Sequence, residues 1–299
     1  MTAAELECWL RELHRVEPPS VDRMIAGDPR TEISAVANVW MPTWSALGKA
    51  VEMGANVVVA HEPTFYTHWD LQDFEEAFAH LPSSAREALR KARDAKLRWI
   101  EANALVILRC HDGPDQMAEG VVDALVGGLG FKSADVVARA PGSRVVGFSP
   151  LPAGEMAQRL ATSCALLGQP GVSFYGDVGR RVATLGLGTG FGSNLWSQLS
   201  LGAEMSLGID DALQSWSQAA FAEDTGYPLA VVNHGTSEEW GVRRVGELLS
   251  AAFPQLRVHH LAQGCGYRWF DGGLQATRPV TTRLAVTPGL TKPRDQTIP

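Results

Sequence analysis

Three apolar runs in this chain each end on side chains that can hold a metal or move a proton. Val57-Val58-Val59-Ala60 leads into His61-Glu62-Pro63, and Leu105-Val106-Ile107-Leu108 into Cys110-His111, with Asp115 four residues beyond His111. Leu229-Ala230-Val231-Val232 leads into His234-Gly235-Thr236-Ser237-Glu238. Such runs read as buried parallel strands, and in an open α/β sheet ligands gather outside the carboxyl ends of those strands. The imidazoles and carboxylates are therefore expected to meet in one crevice. Imidazole plus carboxylate without thiolate suits a hard or borderline divalent ion such as Mn, Fe, Co or Zn. The expected ligands are His61, Glu62, Asp115, His234 and Glu238.

The spacing says more about each group. His234 and Glu238 share a helical face if the helix starts before His234; if it starts later, Glu238 sits in a first turn whose positive end suits a carboxylate. Thr236 and Glu239 also fit a helix-capping box, which uses a different carboxylate. Pro63 biases Glu62 towards an extended backbone, where neighbours point oppositely, so His61 and Glu62 could reach two ions; a solvent-exposed Glu62 would leave a mononuclear site. His111 is placed to orient a ligand carboxylate or shuttle a proton, and His111 and Glu239 are the expected general acid or base groups. Asp112, before Gly113-Pro114, reads as a turn or cap residue, Cys110 as a small buried apolar side chain, and His68 as an exposed loop histidine.

In Gly186-Leu187-Gly188-Thr189-Gly190-Phe191-Gly192 a phenylalanine occupies the third glycine position of a dinucleotide fingerprint. What remains is either a looser phosphate nest or a tight turn carrying backbone close to the site. Asp210-Asp211 follow another strand end and read either as lining the same cleft or, more simply, as caps for a helix from Ala212, and Trp40 or Trp69 as a cleft wall.

The elements that would position these groups alternate between helix and strand. Helices are expected at Ala3–Arg15, Thr43–Glu52, Leu71–Ala104 with a break near Leu81–Ser84, Gln116–Leu129, Ala153–Leu167, Ser193–Leu201, Ala212–Ala222 and Glu238–Phe253. Strands are expected at Ile33–Val39, Val57–Ala60, Leu105–Leu108, Val145–Phe148, Val182–Leu187, Met205–Ile209, Leu229–Val232 and Val258–Leu261. The alternation predicts an α/β fold: an N-terminal lobe over 1–140, a C-terminal lobe over 141–270, and an irregular Pro/Thr/Arg-rich tail over 271–299.

With 299 residues, 45% hydrophobic and 20% charged, the composition is that of an ordinary globular protein with a large core. A net charge of -7 without a basic stripe argues against a nucleic-acid partner, since phosphate contacts require clustered Lys and Arg. Cys8, Cys110, Cys164 and Cys265 lack the spacing of a thiolate zinc site or a disulfide framework. No signal pattern or long apolar run is visible, so a cytoplasmic protein without membrane association is expected.

The order of the motifs resembles the Nif-three-like (NGG-interacting-factor-three-like) family of dinuclear-metal hexameric proteins, also called GTP cyclohydrolase 1 type 2. Its pattern is a strand ending in His-His-Pro, then His-x-x-x-Asp, then His-x-x-Ser/Thr-Glu. Here His61-Glu62-Pro63, His111 to Asp115 and His234 to Glu238 stand in those places, with Glu62 where the family usually has its second His. Gly27-Asp28-Pro29 and Gly186 to Gly190 also resemble family segments, and the resemblance spans roughly residues 1–270. It implies two related lobes with mixed sheets flanked by helices, a metal site in the cleft between them, and a homohexamer. It implies two divalent ions with a bridging water that attacks a small-molecule substrate, a nucleotide or a cyclic C–N bond. Three carboxylates instead of two would make that centre less positive and favour Mn or Fe. The alternative to this hydrolase is a non-enzymatic metal-binding assembly or regulatory protein.

Overall fold

The computed structural model describes residues 1–15 and 18–270, so the tail expected over 271–299 lies outside the described residues. In chain order the first elements are α1 (Ala3–His14), β1 (Met24–Ala26), β2 (Val36–Val39), α2 (Trp44–Glu52), β3 (Val57–Ala60), α3 (Phe74–Ala77), α4 (Ser83–Ala102), β4 (Val106–Arg109), α5 (Asp112–Gln116) and α6 (Val121–Gly128). There follow β5 (Val136–Ala140), β6 (Ser143–Pro152), α7 (Ala153–Ala165), β7 (Ser173–Tyr175), β8 (Arg181–Gly188), α8 (Leu195–Ser200), β9 (Met205–Ile209), α9 (Ala220–Thr225), β10 (Leu229–Val232), α10 (His234–Ala252) and β11 (Val258–Leu261). Two mixed sheets flanked by helices result, an α/β fold as the alternation predicts, with the mixed sheets that the resemblance implies.

The first sheet has the order β1-β4-β3-β2-β11 and the second β5-β6-β8-β9-β10-β7. Strands β11, β2, β3 and β4 run parallel, as do β8, β9 and β10; antiparallel strands close both edges of the second sheet and one edge of the first. Val258–Leu261, grouped with the C-terminal lobe by its place in the chain, pairs with Val36–Val39 at the edge of the first sheet. Met1–Arg268 forms one compact unit. Among the described residues, no helix is long and apolar enough to cross a membrane.

The central strands of the first sheet are apolar on both faces, as strands covered twice must be. Val36, Val57, Val59, Val106 and Leu108 face α1 and the C-terminal half of α10. Ala37, Val39, Val58, Ala60 and Ile107 face α2 and α4, meeting Leu47 and Ile100. The second sheet packs Leu185, Leu187, Leu207 and Val232 against α7 and α6 through Met156, Leu160, Leu125 and Val126. Two helix starts are capped by side chains: Thr2 and Glu5 make a capping box on α1, and Thr43 caps α2. The helix expected over Gln116–Leu129 is instead split into α5 and α6. Gly120 lies between them, where a Cβ would stand 2.1 Å from the Pro114 carbonyl oxygen. The helix expected from Ala212 begins as a π turn over Ser215–Ala219 and continues as α9.

Helix α10 belongs to both halves. It leaves β10 of the second sheet, and its Val245 and Leu249 lie under the first sheet. There Asn38 Nδ2 of β2 donates to the Val242 carbonyl at 2.6 Å. Where α10 crosses α6, a Cβ on Gly241 would stand 2.8 Å from Val121 Cα, so the two backbones touch. Alanine favours a helix over glycine by about 1 kcal/mol, whereas overpacking costs about 1–3 kcal/mol. Gly241→Ala is therefore expected to lower the urea midpoint. Gly48→Ala in α2, where an added Cβ meets nothing within 4 Å, is expected to raise it. Equal shifts in the two variants would contradict this account of the crossing.

Candidate metal centre

The carboxyl ends of the parallel strands in both sheets open onto one cavity of about 760 Å³. Trp40 follows β2, His61 and Glu62 follow β3, and His111 lies just past β4, with Asp115 in α5. From the second sheet Thr189 and Gly190 follow β8, Asp211 follows β9, and His234 and Glu238 open α10. Strand ends that are far apart in the chain thus meet as the sequence expects.

All five expected ligands come together. His61 Nε2 lies 3.7 Å from Asp115 Oδ1 and 3.5 Å from Glu238 Oε2. His234 Nε2 lies 3.0 Å from Glu238 Oε2 and 3.3 Å from Glu62 Oε1. His111, expected as an acid or base group, also enters the cluster: its Nε2 is 4.0 Å from Glu62 Oε1, and its ring stacks on His61 at a centroid distance of 4.5 Å. Two triads therefore have their ligand atoms within 4.8 Å of one another, His61–Glu62–His111 and Glu62–His234–Glu238, and Glu62 is in both. Because α10 starts at His234, four residues before Glu238, the pair shares one helical face.

The surroundings fix these side chains. His234 Nδ1 lies 2.8 Å from Asp211 Oδ2, and His61 Nδ1 lies 3.3 Å from the Cys110 carbonyl, which leaves both Nε2 atoms turned to the cluster. Trp40 Nε1 donates to Glu238 Oε2 at 2.8 Å. Arg109, the last residue of β4, lies 3.6 Å from Glu62 Oε2 and 3.2 Å from Asp70 Oδ2, and its Nε donates to the His61 carbonyl. Asp112 is more than a turn residue. It pairs with His111 Nδ1 at 3.0 Å and accepts from the Ser20 hydroxyl and the Val21 N–H. Asp22, which the sequence does not single out, accepts from the N–H groups of His111, Asp112 and Gly113.

Other expectations change. Glu239 faces away from the cluster. Its Oε1 lies 2.7 Å from His260 Nε2, and its Oε2 accepts from the N–H groups of Gln263 and Gly264. That assigns it to holding the 262–264 loop rather than to acid–base work, and it also removes the capping box with Thr236. The start of α10 is capped by Asp210 across the sheet, whose Oδ1 accepts from His234 N at 3.1 Å; Asp210 and Asp211 thus serve α10 and His234. Trp40 forms a cavity wall, whereas Trp69 is not among the lining residues, and His68 is exposed at the cavity wall. The glycine run makes a short turn over Gly190–Gly192, and a Cβ on Gly190 would stand 2.7 Å from Glu238 Oε1 and 2.8 Å from His234 Nε2. It is a tight turn laid against the ligand atoms.

The cluster fits a cation. Glu62 and Glu238 are buried among like charges, which is costly without a compensating ion. His61 Nε2 and Asp115 Oδ1 are buried with no hydrogen-bond partner, and both face the cluster. Burial alone would depress the His61 pKa, but Glu238 and Asp115 outweigh it and raise it to about 9. His234 rises against its burial to about 10 through Glu238 and Glu62. Burial lifts Asp115 to about 6, while the two imidazoles hold Glu238 well below the usual carboxylate range. Without metal, protons supply the missing positive charge.

Such a fold and cluster define an α/β protein whose buried His and Glu groups are placed to hold a metal ion. The chain belongs to the Duf34/NIF3 (NGG1p interacting factor 3) family, whose model matches residues 23–263. This agrees with the resemblance read from the motifs. Among solved structures, the Staphylococcus aureus hypothetical protein SA1388 is similar with a TM-score of 0.70 at 15% identity, over 90% of this chain and 99% of that one. Protein ybgI, described as of unknown function, gives 0.69 at 19% identity over 87% and 98% of the two chains. Reduced HcgD from Methanocaldococcus jannaschii gives 0.60 at 17% identity over 87% and 98%. At these identities the likeness is one of fold. No curated protein matches the chain in sequence.

The pKa shifts set a pH dependence for metal-stripped protein. His61 and His234 titrate above their ordinary 6.5 in the folded state, so their stabilisation is complete below pH 6.5 and is lost as pH rises through about 9 and about 10. Asp115 acts in the same sense lower down: its contribution is complete below pH 3.8 and lost through about 6. Metal must displace these protons, so it binds better as pH rises. The Tm of chelator-treated protein is expected to fall between pH 6.5 and 9, and the Tm increment from saturating Mn²⁺ to grow over the same range. An increment that is flat or shrinking with pH in a thermal-shift titration would contradict the assigned ligands.

Proposed function

We propose that the chain is a metal-dependent hydrolase holding two divalent ions, drawn from Mn, Fe, Co and Zn, on His61, Glu62, Asp115, His234 and Glu238. The observation that carries this reading is the meeting of partnerless ligand atoms, His61 Nε2 and Asp115 Oδ1, with the two Glu62-sharing triads beside an open cavity of about 760 Å³. A purely structural metal site is closed by its ligands, whereas a catalytic one keeps room for water and substrate. Ions bound there would polarise a substrate oxygen and acidify a water for attack on an electrophilic carbon or phosphorus.

The chain's own groups divide the remaining tasks. Glu62, common to both triads, would serve as a ligand to both ions, and Arg109 holds its Oε2 so that Oε1 stays turned to His234 and His111. Trp40 fixes Glu238, and Asp211 holds the proton on His234 Nδ1 so that Nε2 is free to ligate. His111 lines the cavity with Nδ1 on Asp112, which orients the ring so that Nε2 can take or give a proton in the cavity. Family membership supports the further expectation of a nucleotide or cyclic C–N substrate and a cytoplasmic homohexamer.

Elemental analysis of gently purified wild type and Glu238→Ala tests the centre. About two transition-metal ions per wild-type chain, lost in the variant, are expected, followed by hydrolase activity with that metal. Glu62→Ala is expected to cut turnover about tenfold or more with little change in the Tm of chelator-treated protein. Metal retention with a large fall in Tm and no turnover on any substrate would instead favour a metal-binding assembly. A folded wild type that takes up none of the four metals would overturn the reading. Gly190→Ala should lower both metal content and Tm, since its methyl falls 2.8 Å from His234 Nε2 and the backbone there has φ +48°.

A further inference from the structure

Lys96 is a buried amine that the hydrolytic reading leaves unused. It lies on α4, is only 4% exposed, and lines the same cavity as the cluster. An ammonium has three protons to donate. Its one hydrogen-bond acceptor among the described residues is the Thr64 carbonyl, at 2.8 Å from Nζ, and the Tyr66 ring centroid lies 5.5 Å away. Asp70 is the carboxylate whose charge it feels, but Asp70 is already taken by Arg109 and by the N–H groups of Thr64 and Phe65. Buried lysine without a paired carboxylate is costly, and such a group is retained where something supplies the counter-charge.

The same cavity has aromatic walls. Trp44, Tyr66 and Phe191 line the cavity and are 47%, 44% and 78% exposed, an unusual concentration of large apolar groups in contact with solvent. Trp40 adds a further ring beside His234, at a centroid distance of 5.5 Å. Flat apolar walls with one buried cation and a metal-ligating cluster specify a ligand with complementary parts.

We propose that Lys96 is a specificity-determining residue that binds an anionic group, carboxylate or phosphate, on a substrate whose planar ring lies against Trp44, Tyr66 and Phe191. The proposal deepens the hydrolase reading by naming its substrate class, and it rests on that reading for the chemistry but not for the binding. Burial draws the Lys96 pKa down to about 8, so the ammonium remains the main form at neutral pH and gains from a counter-ion. A charge-assisted hydrogen bond at such a site makes a charged ligand bind about ten- to hundredfold tighter than its neutral isostere.

The test uses 2-naphthoate and 2-naphthalenemethanol as probes, with tryptophan fluorescence and calorimetry as readouts. Both are titrated into the full chain, metal-loaded and chelator-treated, as wild type, Lys96→Met and Lys96→Arg. Wild type is expected to prefer the acid at least about tenfold in both metal states; the arginine variant keeps most of that preference, and the methionine variant loses it while still binding the alcohol. If Lys96→Met does not fold, Lys96→Gln replaces it. Mass-spectrometric protection of Lys96 from reductive methylation, by the acid but not the alcohol, reads the same contact in wild type.

Equal affinity for acid and alcohol in wild type overturns the proposal, as does a preference that survives in Lys96→Met. A preference present only in metal-loaded protein assigns the anion to the metals and overturns it too. A Lys96-dependent preference in a protein that takes up no metal would uphold the anchor while the hydrolase reading fails, so the two failures are distinguishable.

Discussion

Buried like charge is the constraint around which the molecule is built. Glu62, Asp115 and Glu238 converge beside His61 and His234, and at an effective dielectric of about 20 each pair of unit charges 4 Å apart interacts by about 4 kcal/mol. Such a group persists only if positive charge is supplied by protons on imidazoles, by a guanidinium or by a cation. The fold provides fixed partial compensation: Arg109 rises from β4 beneath Glu62, and the N-terminus of the 19-residue α10 directs its positive end at the cluster. The rest is left to protons or metal. Trp40, Asp211 and the Cys110 carbonyl hold the ligands in place, so the repulsion cannot be relieved by side chains swinging into solvent.

Glu62 stands where the family usually has its second His, and charge counting over the ligands alone makes the centre less positive. Arg109 alters that sum. Its Nη2 lies 3.6 Å from Glu62 Oε2, so the extra negative charge meets a buried positive one in contact with it. Arg109 divides its charge between Glu62 and Asp70, so it offsets part of the added negative charge, while Glu62 Oε1 stays available. The preference for Mn or Fe inferred from three uncompensated carboxylates is correspondingly weaker.

The strands and ligand positions were legible because they are local. An apolar run of four residues followed by His or Glu reports a buried strand and its carboxyl end, and Val57–Ala60 and Leu229–Val232 form as read. The groups that orient the ligands were not legible, since each comes from a neighbouring strand or loop. Asp211 reaches His234 across β9 and β10, Trp40 reaches Glu238 from β2, and Asp22 holds the backbone at His111. Nothing in the residues beside them marks these roles. Glu239 shows the converse error. It sits next to a ligand and in capping-box spacing, yet a helix turn of about 100° sends adjacent side chains different ways, and its carboxylate serves His260 and the 262–264 loop. Val258–Leu261 forms as a strand, but its sheet does not follow from chain order, because edge pairing is decided by tertiary packing.

That edge pairing has a consequence for synthesis on the ribosome. Asn38 of β2 and His260 of β11 lie 222 residues apart, and the whole second sheet is encoded between them. At about 5–20 residues per second, the apolar strand Val36–Val39 emerges on the order of 10–40 s before the strand that will cover its edge. During that interval the second sheet can complete itself from contiguous chain, while the first presents unpaired N–H and C=O groups. The nascent protein thus carries a sticky, half-made sheet until β11 is translated, and it is in that window that a chaperone or a neighbouring nascent chain would find it.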